Sequence, residues 1–288
     1  MSLVDMHIHS YYTDGTMSPQ EILKEAVRKG IGTLAVTDHD VLEGARELLR
    51  LVQQMPGEGS PESGREGMEV HVIPGVELTG VQDGATYHIL GYGVDLEQEA
   101  FCRFVRENRT HLDGMNDELI EKMEQDYPVV SRRDYESFVF EPGMGGWKAL
   151  HYLKARGLAE SLADALKYYG QYRILYEEAG FADVVQICEA IHGAGGVAVL
   201  AHPGKVLPTE DPVMFEEKLN EILNLGLDGV ECWYPTHTEE IRDICLRVCH
   251  EKDLLITCGS DSHGDFEVED VPMGILPVTE EDVNIGSL

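Results

Sequence analysis

Apolar positions along the chain fall into short, nearly continuous runs that alternate with stretches of helical period. "SLVDMHI" at the start reads as a strand. "SPQEILKEAVRKG" (18–30) reads as a helix with Ser18 as N-cap, Pro19 at the first helical position and Gly30 at its end. "IGTLAVTDHD" is a buried strand, and 42–55 a helix that runs into "PGEGSPESGREG" (56–67), whose Gly, Ser, Pro and Glu content predicts a mobile loop. The strands "EVHVIPGVEL" and "ATYHILGYGV" follow. From residue 178 the alternation resumes: helix "ADVVQICEAIHGAG", strand "GVAVLAHPG", a helix near 212–225, strand "LDGVECWY", helix 238–252 and strand "LLITCGSDSHG". Repeated strand–helix units with apolar strands predict a parallel sheet covered by helices. About seven such units point to a closed or nearly closed barrel rather than an open sheet.

Residues 101–177 break this rhythm, being helical and poor in strands. They hold 11 of the 22 bases and 13 of the 53 acids. The expected organisation is therefore a discontinuous barrel domain, 1–100 and 178–288, with an inserted helical cap and substrate-binding subdomain at 101–177. At 288 residues and 43% apolar content the chain can bury a large core without staples. Its six cysteines form no CxxC pair and sit mostly in apolar runs, as buried reduced thiols do.

The formal net charge of −31 excludes a protein whose own surface tracks long nucleic acid or an anionic membrane. With no apolar run of about 18 residues, no basic-then-apolar leader, and chemistry that begins at His7, the chain is expected to be cytoplasmic.

The candidate chemistry gathers where strands run out. His7, His9 and Asp14 follow the first strand, and His39 the second; Glu77 follows "VIPGV", His88 lies in "YHILGYG", His202 ends "VAVLAHPG", and Asp261 and His263 end "ITCGSDSHG". In a parallel barrel these ends share one rim. His7 and His9 share a side because strand side chains alternate with period two, and Asp261 and His263 have the same spacing. Nine nitrogen and oxygen donors are too many for one ion and suit three, with Glu77 as a bridge. The absence of cysteine from the set favours Mn²⁺, with Fe²⁺ or Zn²⁺ next. Since histidine binds metal only when neutral, metal affinity should fall as pH drops through about 6.5.

In this order, "DMHIHSYYTDG", "AVTDHD", "PGVELT", "HILGYG", "LAHPG" and "GSDSHG" resemble the motifs of the PHP (polymerase and histidinol phosphatase) superfamily, in particular its stand-alone metal-dependent phosphoesterases. The resemblance covers about 1–95 and 180–265. It implies a distorted (β/α)7 barrel with a trinuclear centre: His7, His9, Glu77 and Asp261 on one metal, Glu77, His88 and His202 on the second, Asp14, His39 and His263 on the third. Many relatives carry an Arg-x-His in the inserted helices that binds substrate phosphate. Here Gly146, Trp147 and Lys148 stand in its place, leaving Lys148 as the candidate cation and Trp147 as either a stacking surface or a core residue. His237 resembles a position that faces the centre, as a phosphate contact or proton donor.

The activity implied is hydrolysis of a small phosphate ester, of nucleotide or nucleoside bisphosphate type, by a metal-bridging hydroxide. The alternatives are a sugar cyclic phosphate, opened and dephosphorylated, or histidinol phosphate. A non-catalytic metal-binding module would have lost ligands, and none is missing. An amide-bond hydrolase would place a lysine ligand at a strand end, whereas Lys205 follows "HPG" in a loop.

Overall fold

The computed structural model describes residues 2–54, 70–207, 209, 211–266 and 271–288. The loop expected at 56–67 lies outside the described residues. Strands β1 (Leu3–Asp5), β2 (Ile31–Leu34) and β3 (His71–Val72) form a parallel sheet in that order. Strands β4 (Gly75–Gln82), β5 (Ala85–Tyr92), β6 (Val197–Leu200), β7 (Gly229–Trp233) and β8 (Leu255–Cys258) form a second sheet, also in sequence order.

The helices are α1 (Pro19–Lys29), α2 (Glu43–Gln53), α3 (Glu99–Asp126), α4 (Arg132–Ser137), α5 (Lys148–Ala155), α6 (Leu162–Ala165), α7 (Lys167–Gln171), α8 (Val184–Gly193), α9 (Pro203–Val206), α10 (Pro212–Leu223) and α11 (Glu239–Lys252). The caps of α1 are those its sequence predicts: Ser18 and Glu21 exchange side-chain-to-backbone bonds, and Gly30 takes the left-handed conformation at φ 80°. No helix among the described residues is long and apolar enough to cross a membrane.

The fold is mixed α/β, and the described strands differ from the expected arrangement at two points. First, β5 runs antiparallel to both β4 and β6, so the second sheet is not all parallel. The cause is local. Asp83 and Gly84, both at positive φ (51° and 75°), make the two-residue hairpin turn that joins β4 to β5. Second, the described strands do not close into a barrel. Bridges at Ile8–Ser262 and His39–Glu77 join the two sheets, with backbone hydrogen bonds beside each, Met6 N–H to Cys258 O at the first seam and Asp40 N–H to Glu77 O at the second. At both seams the backbone turns out of the extended region, Asp40 at φ 53° and Asp261 at φ 55°, and Pro74 splits the single strand expected at 69–78 into β3 and β4.

The main core packs α8, α10 and α11 against β4 to β8 and takes in Phe101, Cys102 and Val105 from the start of α3. The second half of α3 (Met115, Leu119, Ile120, Met123) instead packs with α5, α6 and α7, and Phe266 from beyond β8 joins them. One continuous helix therefore belongs to both clusters, and the helical segment leans over the end of the sheets where the candidate ligands lie. All six cysteines are free and buried.

Candidate metal centre

Seven of the candidate ligands lie on segments that follow strands β1, β2, β6 and β8, whereas Glu77 and His88 stand within β4 and β5. His7 and His9 follow β1 on backbone that remains tied to the segment after β8, through Met6 N–H to Cys258 O (3.0 Å) and Asp261 N–H to His7 O (2.8 Å). This close approach requires glycine at 259, where a Cβ would stand 2.1 Å from His7 Cβ. Asp14 sits on a loop pinned by buried Asp38, which accepts from Ser10 N (2.8 Å), Ser10 Oγ (2.7 Å) and Thr13 Oγ1 (2.8 Å). His202 holds φ 29° and ψ 60° ahead of α9, a strained backbone at a ligand position.

The nine side chains converge. His7 Nε2 and His9 Nε2 lie 3.1 Å apart. Glu77 Oε2 is 3.3 Å from the first and 3.2 Å from the second, and Asp261 Oδ1 3.3 and 3.1 Å. A tetrahedron of N and O donors about 2.0–2.1 Å from a central ion has edges of roughly 3.3–3.4 Å, so these four atoms are spaced as ligands of one ion. The other Glu77 oxygen, Oε1, meets His88 Nδ1 at 3.0 Å and His202 Nε2 at 3.1 Å. Asp14 Oδ2 stands 3.3 Å from His263 Nε2 and 3.7 Å from His39 Nε2, while Asp14 Oδ1 is 3.5 Å from His9 Nδ1. His39 Nδ1 turns to Glu77 Oε2 at 3.2 Å, so His39 links two groups.

The donor set fits divalent ions. Buried polar atoms without a hydrogen-bond partner include His9 Nδ1, Asp14 Oδ1, Glu77 Oε2, His88 Nδ1 and His202 Nδ1, an expensive cluster unless cations occupy it.

Three carboxylates that sequence reading missed support the ligands. Glu231, fully buried in β7, takes the His7 Nδ1 proton (3.0 Å) through Oε1 and the His202 backbone N–H (2.8 Å) through Oε2. This leaves His7 Nε2 free to bind. Asp5 accepts from Ser260 N and Gly274 N, and Asp38 holds the Asp14 loop. The available signal was an isolated acid inside or beside an apolar strand, as in "GVECW".

Charge couples the cluster. Burial opposes ionisation of Glu77 and Asp261, yet neighbouring histidines, His39 and His7 foremost for Glu77 and His7 and His9 for Asp261, hold both well below the usual carboxylate range. Burial likewise opposes protonation of His9, but Asp261 and Glu77 raise it to about 10. His7 and His88 also rise against burial, driven first by Glu77, whereas burial takes His39 down to about 3. Rings with raised pKa carry protons that a metal must displace, so as pH falls, proton competition at His7, His9 and His88 sets in above 6.5. Mn²⁺ binding near pH 7.5 is expected to release protons, seen as a calorimetric heat that changes with buffer ionisation enthalpy, and to weaken as pH falls. A heat independent of buffer would contradict this.

The remaining candidates fall outside the cluster. Both ring nitrogens of His237 are engaged: its Nδ1–H donates to Cys232 O (3.0 Å), and Nε2 accepts from Gly204 N–H (3.1 Å). Nε2 braces the turn that follows His202, and Nδ1 ties the ring to β7. Lys148 lies in an outer cleft, its Nζ 3.1 Å from Glu136 O. Lys205, set aside in the sequence as a loop residue, reaches the cluster, with Nζ 3.2 Å from Asp261 Oδ2, where the Tyr234 hydroxyl also donates (2.8 Å). It binds the outer oxygen of Asp261 and is not among the converging ligand atoms.

A family model described as the PHP domain matches residues 5–224. The chain belongs to the PHP family. Among PHP relatives, a 5'-3' exoribonuclease of Haemophilus influenzae is 26% identical over 284 residues, 96% of this chain and 98% of that protein. The match to the 5'-3' exoribonuclease Rnm of Escherichia coli spans 66% of that protein's length. A phosphoribosyl 1,2-cyclic phosphate 1,2-diphosphodiesterase of Eggerthella lenta is 29% identical over 277 residues, 91% of this chain and 94% of that one. A solved structure from Bifidobacterium adolescentis, provisionally named a metal-dependent phosphoesterase, superposes with a TM-score of 0.76 at 23% identity, covering 98% of this chain and 94% of that one. That last likeness is one of fold.

Proposed function

We propose that the chain is a metal-dependent phosphoric ester hydrolase acting on a small phosphate ester of nucleotide type. The observation that carries this reading is the division of Glu77, one oxygen between His88 and His202 and the other among His7, His9 and His39. The ligand sets are His7, His9, Glu77 and Asp261; Glu77, His88 and His202; and Asp14, His39 and His263, three ions in all. Their nitrogen and oxygen donors suit Mn²⁺ first and Fe²⁺ or Zn²⁺ next. Divalent ions there supply charge to phosphoryl oxygens and acidify bound water. The chain itself orients and encloses. Glu231 fixes the His7 ring, Lys205 adds a cation beside Asp261, and Trp147, Leu166 and Phe266 wall the cavity that the ligands face.

A sugar cyclic phosphate is the second reading, supported by the Eggerthella relative. A phosphate-release screen of the Mn²⁺-loaded protein over nucleotides, sugar phosphates and cyclic phosphates separates the two. Turnover led by nucleoside monophosphates and short oligonucleotides is expected; turnover of cyclic sugar phosphates alone selects the second reading, and none on any ester refutes both.

A net charge of −31 argues against a long polyanion as partner. Lengthening an oligonucleotide from three to twenty residues should raise kcat/KM by less than about threefold, with a log–log salt slope shallower than about −2. A steep slope that grows with length would instead reveal an extended nucleic-acid track.

A further inference from the structure

Trp147 has the metal ligands on one side and a second cleft on the other. This outer cleft has a volume of about 520 Å³, the size of a small-molecule site. It shares Thr13, Arg109, Asn116 and Trp147 with the smaller cavity that reaches Asp14, His39 and His88, so the two adjoin.

Its walls are aromatic and preset. Trp147 Nε1 donates to Tyr169 Oη (2.6 Å), whose hydroxyl donates to Asn116 Oδ1. Phe140 stacks on His151 with ring centroids 4.7 Å apart, and His151 Nε2 bonds Gly145 O at 2.8 Å. Tyr11, Tyr12 and Tyr135 also line it.

Its charge is unfavourable to phosphate. Arg109 and Lys148 face Asp113, Asp117 and Glu136, and both cations are engaged. Arg109 Nε lies 3.1 Å from Asp113 Oδ1 and Nη1 3.1 Å from His39 O; Lys148 Nζ bonds Glu136 O and sits 4.7 Å over the Tyr135 ring.

We propose that the outer cleft receives the flat, uncharged ring of the leaving group, a nucleobase, while phosphate stays on the metal side of Trp147. The inference rests on the phosphoric ester hydrolase reading and narrows it: a second phosphate gains nothing here, and Lys148 is not its receptor. Stacking on aromatic faces tolerates any base, since every base presents a π-face.

The test uses the whole chain and adenosine, which carries no phosphate. Saturation-transfer NMR should show adenosine binding, weakened about tenfold in both Phe140→Leu and Tyr11→Leu. In the same variants the ratio of kcat/KM for adenosine 5'-monophosphate to that for ribose 5-phosphate should fall about tenfold, and a 3'-phosphate on the nucleotide should not raise kcat/KM in the wild type. Adenosine that does not bind, or binds equally to both variants, overturns the proposal. So does a tenfold gain from the 3'-phosphate, which would return the cleft to Lys148. If adenosine binds as expected but neither ester is hydrolysed, the ring subsite stands and the hydrolase reading fails.

Discussion

Glu77→Gln is expected to remove at least one bound metal and to lower turnover by roughly a thousandfold or more. The carboxylate is fully buried, and its oxygens face five imidazole nitrogens at 3.0–3.3 Å. Glutamine keeps the shape but offers one oxygen, and its amide N–H₂ would point at nitrogens whose lone pairs are needed to bind a cation. One of the ligand groups thereby loses its anion. Metal analysis by mass spectrometry alongside steady-state kinetics reads both effects. Full metal content with normal turnover would remove Glu77 from the centre.

The second large effect is expected at Glu231, which touches no converging ligand atom. Glu231→Ala strips the partner from His7 Nδ1 and from the His202 backbone N–H, both buried. Breaking such a pair leaves uncompensated polar groups and costs about 3–5 kcal/mol of folding stability. The freed His7 ring also loses its fixed tautomer, so metal affinity should fall about 10–100-fold. Glu231→Gln, which can still accept one of the two hydrogen bonds, should recover part of both losses. Denaturant unfolding and Mn²⁺ titration separate the contributions. An alanine variant that unfolds early but binds metal normally would make Glu231 a packing residue alone.

The centre was legible in the sequence where local spacing controls geometry. His7 and His9, two apart on extended backbone, bring their Nε2 atoms to 3.1 Å, and the caps of α1 follow from Ser18, Glu21 and Gly30. What was not legible depends on partners far along the chain. Glu231 meets His7 across 224 positions, and nothing near "GVECW" marks it as more than an acid in a strand. His237, which follows a strand as several ligands do, has its Nε2 taken up by the Gly204 N–H, a contact that period and motif do not encode. Asp83–Gly84 between two apolar runs is a hairpin signal that strand–helix alternation alone does not capture, and it sets β5 antiparallel to β4.

The most direct test of the account is to strip the protein with a chelator, restore Mn²⁺ in steps, and follow phosphate release from a nucleoside monophosphate and bound metal in the same samples. The stripped protein is expected to show no turnover, with recovery that tracks occupancy of the centre and is absent in Glu77→Gln. Turnover that survives complete stripping, or a fully loaded protein that releases phosphate from no ester, would contradict it.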